Sequence, residues 1–243
     1  MAALNHAQLF ESNHKPPCDS LTNTVARRSW ATGEAQLYGP GGERKYLNSE
    51  ERGRVLAAAE TLEDQRCLFA LVLAWTGARI SEVLALTPSS FQLDTSVVTI
   101  VTLKRRKLSV REVPIPPQLS SRLERHFGLR RLQRGEHSAQ QRLWPWHRVT
   151  AWRHIKHLMT LAHVVGKQAC PRGLRHGFGV GALQSGVPLH LIQRWMGHAR
   201  LSTTAIYMNV CGPEEIGFAE RFWKLRLPAY KIGPVAPRNA AYG

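Results

Sequence analysis

Residues 96–116 are the interval of this chain with the two-residue period of a β-sheet. There the β-branched segments VVTIVTL and LSVREVPIP flank a cationic run, Lys104, Arg105, Arg106 and Lys107. The pattern predicts one antiparallel hairpin with a basic tip. A lone hairpin cannot bury a core by itself, so helices have to supply most of it. The flanking text has the helical period: RVLAAAETL, LEDQRCLFALVLAWTG and ISEVLALT before the hairpin, and QLSSRLERHFGLRRLQ, WHRVTAWRHIKHLMTLAHVV, GLRHGFGVGALQ, LHLIQRWMG, STTAIYMNV and PEEIGFAERFWKLR after it. Each is stopped by a Gly, a Pro or a polar turn. Asn48 and Glu51 have capping-box spacing at the first helix, Gly77 ends the second, and Pro88 stops the third. The expected fold class is mainly α with a small antiparallel β-hairpin or sheet.

Residues 1–45 carry Pro16-Pro17 and the tract Gly39-Pro40-Gly41-Gly42, and are expected to form a flexible N-terminal arm with at most one short helix. Residues 46–227 read as one helical domain. The stretch PAYKIGPVAPRNAAYG, 228–243, reads as a loose tail.

Charge narrows the partner. Lys and Arg number 33 against 17 Asp and Glu, a formal net charge of +16, which favours a polyanion, with nucleic acid preferred over an anionic lipid surface. No apolar run approaches the roughly 18 residues that span a bilayer, and the first residues lack the basic-then-apolar order of a secretory signal. A cytoplasmic protein without membrane contact is expected. Cys18, Cys67, Cys170 and Cys211 form no Cys-x-x-Cys pair, so neither a disulfide framework nor a zinc knuckle is suggested, and Cys67 reads as a core thiol.

Three segments place functional side chains beside glycines at structural boundaries. In TGARISE, Arg79 opens a helix with Glu82 one turn later, where a carboxylate can fix the guanidinium as a phosphate ligand. In PRGLRHGF, Arg172 and Arg175 are spaced to share a helix face, as are Leu174 and Phe178. In WMGHARLSTTAIY, His198 follows a Gly stop, and a short helix then carries Tyr207. Singly, each has an ordinary reading: a solvated arginine, or an aromatic at the edge of a core.

In this order, however, TGARISEVLAL, the basic hairpin tip, GLRHGFG and MGHARLSTTAIYMNV resemble the C-terminal catalytic domain of the tyrosine site-specific recombinases, the phage integrase family. The resemblance spans residues 46–222. It implies a mainly helical fold gripping duplex DNA with a basic face and a hairpin over the scissile phosphate. It also implies strand cleavage and rejoining through a covalent 3'-phosphotyrosyl intermediate, with no metal or other cofactor. Carried over residue by residue, Tyr207 would attack, Arg79 and Arg175 would clamp the phosphate, His198 would add a hydrogen bond or assist with protons, and Lys104 would protonate the leaving 5'-oxygen. Lys104 is preferred to Lys107 because it ends the first strand; alternatively the whole run, with Arg105 and Arg106, tracks the DNA backbone. The chemistry suits these side chains, since a guanidinium fork matches two phosphate oxygens and a phenol near pKa 10 needs a cationic setting to ionise.

Arg172 stands where most members have His, and a guanidinium cannot accept a proton near neutral pH. His176 is not at that position; it is expected to make a supporting hydrogen bond inside the domain. The arm is too short and irregular for the N-terminal helical domain that members commonly carry, which suggests a catalytic domain nearly alone or one helped by an accessory DNA-binding protein. Arg148, Arg153 and Lys156 form a basic stripe expected to face DNA, as is Arg200. This stripe is preferred to a metal pair at His154 and His157, because no carboxylate or thiol completes a ligand set. Trp144, Trp146 and Trp152 read as packing anchors rather than platforms for exposed bases. The last helix, with Ile216, Phe218, Phe222 and Trp223, could dock on its own core or on a neighbouring protomer.

The leading expectation is a DNA recombinase or integrase acting at paired sites, with protomers self-associating into a synaptic oligomer on double-stranded DNA, of the kind used by mobile elements and plasmids. A type IB topoisomerase-like relaxing enzyme and a non-catalytic DNA-binding relative are the alternatives.

Overall fold

Capping chemistry opens the first helix where the sequence places it. A computed structural model describes residues 36–102, 109–210 and 213–226; the tip at 104–107, the arm to 35 and the tail lie outside the described residues. In α1 (Ser49–Ala59) the Glu51 N–H donates to Asn48 Oδ1 at 2.8 Å and the Asn48 N–H donates to Glu51 Oε2 at 3.1 Å. Helix α2 (Asp64–Thr76) is buried continuously from Cys67 to Ala74, as a helix apolar on all sides must be. It stops at Gly77, whose φ of 60° is left-handed. A Cβ there would lie 2.3 Å from the Phe178 ring, so both conformation and space require glycine. The third helix, α3 (Ile80–Val83), is shorter than expected, because the chain turns at Leu84 toward a 3-10 turn at Pro88–Ser90.

The hairpin is β2 (Val97–Thr102) against β3 (Ser109–Pro114), and a two-residue strand β1 (Phe91–Gln92), too short to show a period, adds to the β2 edge. Both pairings are antiparallel, and Ile100 faces Arg111 while Val98 faces Val113. Val98, Ile100 and Thr102 point inward from β2, Arg111 and Val113 from β3. The continuous helix expected after the hairpin is instead divided by Gly128, φ 65°, into α4 (Pro117–Phe127) and α5 (Leu129–Gln133), followed by α6 (Glu136–Ala139). A left-handed residue ends one helix and lets the next start in a new direction. The remaining elements are α7 (Arg148–Leu161), α8 (Pro171–Gln184), α9 (Leu189–Met196), α10 (Leu201–Ala205), a 3-10 turn (Ile206–Asn209) and α11 (Pro213–Arg226).

Two apolar clusters result. The larger joins α1 to α7 and the sheet around Phe69, Ile100, Leu123, Trp144 and Ile155. Trp144 donates its indole N–H to the Gln65 carbonyl at 3.1 Å and meets Phe69 and Phe127 edge-on, and Trp146 also packs on Phe69, so these two tryptophans anchor the core. Trp152, expected to do the same, is instead exposed on α7 with Lys156 Nζ over its ring. The smaller cluster holds Tyr46, Phe178, Val180, Ile192, Met196 and Tyr207. Leu37 belongs to it, and the Lys45 N–H donates to the Leu37 carbonyl at 2.8 Å. Packing therefore starts before Tyr46, earlier than the composition of 37–45 suggests. Helix α11 touches α8 and leaves Ile216, Phe222 and Trp223 exposed. No helix among the described residues is long and apolar enough to cross a membrane.

Candidate active site

Where α2, α8 and α9 meet, polar groups converge at the ends of helices. Arg79 caps α3 and donates from Nη1 to Glu82 Oε1 at 3.0 Å, while its backbone N–H donates to Glu82 Oε2 at 2.9 Å. The one-turn spacing read from the sequence thus fixes the guanidinium, which stays one-third exposed. Glu82 is buried and has a second cation, Arg111, whose Nη2 donates to Oε2 at 2.6 Å. Burial acts to raise the Glu82 carboxyl, but the charge and hydrogen bond of Arg111, with the Arg79 contacts, hold it below the usual carboxylate range. Removing one partner from such a buried pair typically costs about 3–5 kcal/mol.

Arg175 is 8% exposed, and carbonyl oxygens hold it. Nη1 donates to the Gly77 carbonyl at 2.5 Å and Nη2 to that of Met196 at 2.7 Å. These are carbonyls at the C-terminal ends of α2 and α9, where helices carry partial negative charge. Burial first, then the nearby positive Arg79, pull Arg175 down to about 10, so it remains charged at neutral pH. Two guanidiniums that repel each other define a place for an anion. Arg172 and Arg175, three residues apart on α8, share a face of the helix as expected but not a depth. Arg172 lies in the first turn of α8 and is exposed, whereas Arg175 is one turn deeper, beneath α2.

Tyr207 lies in the 3-10 turn after α10, 1% exposed. Its ring rests on Gly179 of α8, where a Cβ would come within 2.5 Å of it, so this approach needs glycine. Burial pushes its phenol above the ordinary tyrosine value and outweighs the opposing charges of Arg175 and Arg79. The Tyr207 hydroxyl and His176 Nδ1 are 3.2 Å apart. The sequence suggested a hydrogen bond for His176 but could not name its partner, which lies 31 residues on. His198 stacks near the Tyr207 ring, centroids 6.3 Å apart, and its Nδ1 is 2.9 Å from Thr204 Oγ1. If that hydroxyl donates, the neutral ring carries its proton on Nε2, a donor suited to phosphate. Burial and then the charge of Arg175 hold His176 down to about 4; burial, Arg175 and Arg79 hold His198 down to about 3. Both imidazoles are neutral near pH 7.

The structure thus brings Arg79, Glu82, Arg175, His176, His198 and Tyr207 together from segments far apart in sequence. Arg200 is exposed at the start of α10, and Arg148 and Arg153 are exposed on α7. Lys156 is half-buried and donates to the Ala169 carbonyl at 2.8 Å, in the loop that leads to α8. Lys104, Arg105, Arg106 and Lys107 lie outside the described residues. His154 packs against Trp146, and among the described residues no three metal-binding side chains converge. Arg111 is the participant the sequence reading missed. Its signal was the alternation of LSVREVPIP, which places it on the same face as Val113.

The family model for the phage integrase family matches residues 45–211. The chain belongs to that family. It is 28% identical over 176 residues to the tyrosine recombinase XerD of Haemophilus ducreyi, covering 68% of this chain and 58% of the relative. It is 30% identical over 172 residues to the tyrosine recombinase XerA of Pyrococcus horikoshii, covering 68% and 57%. The chain therefore spans little more than half the length of these relatives. Among solved structures, a XerA recombinase superposes with a TM-score of 0.60 at 26% identity, covering 75% of this chain and 65% of that one. The catalytic domain of bacteriophage HP1 integrase, at 23% identity, shares the fold with a TM-score of 0.52, covering 77% of this chain and 99% of that one. The small sheet within a helical domain is thus the fold of tyrosine recombinase catalytic domains.

Proposed function

We propose that this chain is a site-specific DNA recombinase that cleaves and rejoins duplex DNA through Tyr207. The observation that carries the reading is the convergence of two mutually repelling guanidiniums, Arg79 and Arg175, beside the Tyr207 phenol, whose ionisation both favour. In the first step Tyr207 Oη attacks phosphorus, a phosphotyrosyl bond forms, the bond to the 5'-oxygen breaks, and the phenol loses its proton while the leaving oxygen gains one. Attack by a 5'-hydroxyl reverses the step on a new strand, so no external energy source is needed. Arg79 and Arg175 neutralise the non-bridging oxygens, and His198 Nε2 adds a hydrogen bond.

Lys104 is the proposed acid for the leaving oxygen. Arg172, exposed at the start of α8, is a further phosphate donor and leaves the proton-accepting step without the usual histidine. Glu82 orients Arg79, and His176 holds the Tyr207 phenol. Arg105, Arg106, Lys107, Arg148, Arg153 and Arg200 supply the DNA-tracking charge, with Lys156 tying α7 to the loop before α8. Protomers assemble into a synaptic oligomer on double-stranded DNA, with room for an accessory DNA-binding protein. The solved XerH recombinase was captured with its difH substrate before cleavage, which supports duplex DNA as the partner here. The reading places the protein in the cytoplasm.

The test is recombination between paired sites taken from DNA flanking the gene, run beside relaxation of a supercoiled plasmid. Strand exchange lost in Tyr207→Phe supports the recombinase. Relaxation without exchange would favour the topoisomerase-like activity. A faster Arg172→His would show that the missing histidine limits the rate.

A further inference from the structure

Arg111 is a buried cation that the proposed chemistry leaves unused. Its side chain is 3% exposed, yet it reaches three elements: Nη2 donates to Glu82 Oε2 on α3 at 2.6 Å, Nη1 to Thr102 Oγ1 at the end of β2 at 2.9 Å, and Nε to the Trp195 carbonyl in the last turn of α9 at 2.7 Å. The end of α9 fits tightly on it, since a Cβ at Gly197 would come within 3.0 Å of Nη1. Two of these bonds fix the guanidinium to the sheet and to α9. The third fixes Glu82, whose other oxygen receives Arg79 Nη1.

Stability alone does not require an arginine here. The position faces inward between Val113 and the cross-strand Ile100, and exchanging a buried ion pair for apolar groups is often neutral or stabilising. A planar fork spreads its donors over three nitrogens and can hold three fixed partners on different sides at once, whereas an ammonium carries its three donors on one atom at the end of a flexible stem. We propose that Arg111 is a positioning residue that aims Arg79 at the phosphate through Glu82, making a clamp residue depend on a strand residue that itself touches no DNA. This rests on the recombinase reading.

The test compares the parent with Arg111→Lys, Arg111→Met, Arg79→Ala and the Arg111→Lys/Arg79→Ala double variant. The readouts are thermal unfolding, duplex affinity, and the single-turnover rate of covalent adduct formation at saturating duplex. Arg111→Lys keeps the charge against Glu82, and it serves as the test should Arg111→Met fail to fold. It is expected to unfold cooperatively, to bind duplex like the parent, and to form adduct about 100-fold more slowly, the scale of a misplaced reacting group. In the Arg79→Ala background the same change should slow the reaction little further, because both act through one guanidinium. A parental rate in folded Arg111→Lys, or full multiplication of the two effects, would overturn the proposal while leaving the recombinase reading intact. A parent that binds duplex but forms no adduct would remove both.

Discussion

Trp144 and Tyr207 are both large side chains sealed from solvent, but their surroundings differ in kind. Around Trp144 lie Phe69 and Phe127, and the indole N–H has its carbonyl. Around Tyr207 lie two neutral histidines and two arginine charges, and burial works against the ionisation that attack would need. The first region gains stability from every buried group. The second buries Arg175, Glu82, His176 and Thr204, which would be expensive except that each has a specific partner. A seam of that kind is selected for geometry, and its variants should separate rate from stability in a way that core variants do not.

The largest separation is expected at Arg175. Arg175→Met should lower covalent cleavage by roughly 10³-fold, as loss of a preorganised donor does. It also leaves the Gly77 and Met196 carbonyls unpaired, at about 1–3 kcal/mol each. A single-turnover assay beside a denaturant melt measures both, and a rate within tenfold of the parent would contradict the clamp. In the apolar region, Trp144→Phe should do the reverse, costing about 2 kcal/mol through the lost indole bond and a small void. Its folded fraction should cleave at the parental rate, and a slower rate at full folding would blur the comparison.

Gly179→Ala sharpens it from the other side. The added methyl displaces the Tyr207 ring, for about 1–3 kcal/mol of overpacking, and cleavage should fall by more than folding explains. An unchanged rate would mean that Tyr207 reacts from a position unrelated to the one it occupies here. Acid probes the second region through its two histidines. Unfolded chains protonate both histidines near pH 6.5, whereas the folded protein resists until about 4 for His176 and about 3 for His198. Stability present above pH 6.5 is therefore lost as pH falls toward 4, on the order of 1 kcal/mol per pH unit from each ring. Melting temperature followed from pH 7 to 4.5 should drop, and His176→Gln should flatten the slope. A slope that His176→Gln leaves untouched would place the titration elsewhere.

The two regions also differed in how far they could be read in advance. The Asn48 and Glu51 cap, the Gly77 stop, the hairpin and two of the three tryptophan anchors follow from local spacing, and the structure has them; Trp152 is exposed instead. The three glycine-flanked motifs likewise pointed to the residues that meet at the seam. What stayed hidden depends on tertiary approach. The bond between His176 and Tyr207 joins residues on separate elements, and the depth difference between Arg172 and Arg175 appears only once α2 lies over α8. Arg111 was concealed because a charged residue in a strand is ordinarily assigned to solvent. Gly128 was concealed because an isolated glycine inside a helical stretch need not end it.

The most direct test traps the protein on a nicked suicide duplex, digests the denaturant-resistant adduct with protease, and locates the attached nucleotide by mass spectrometry. A nucleotide on the peptide containing Tyr207, absent in Tyr207→Phe, is the predicted result. No adduct on a duplex that the protein binds, or attachment to another residue, would contradict the account.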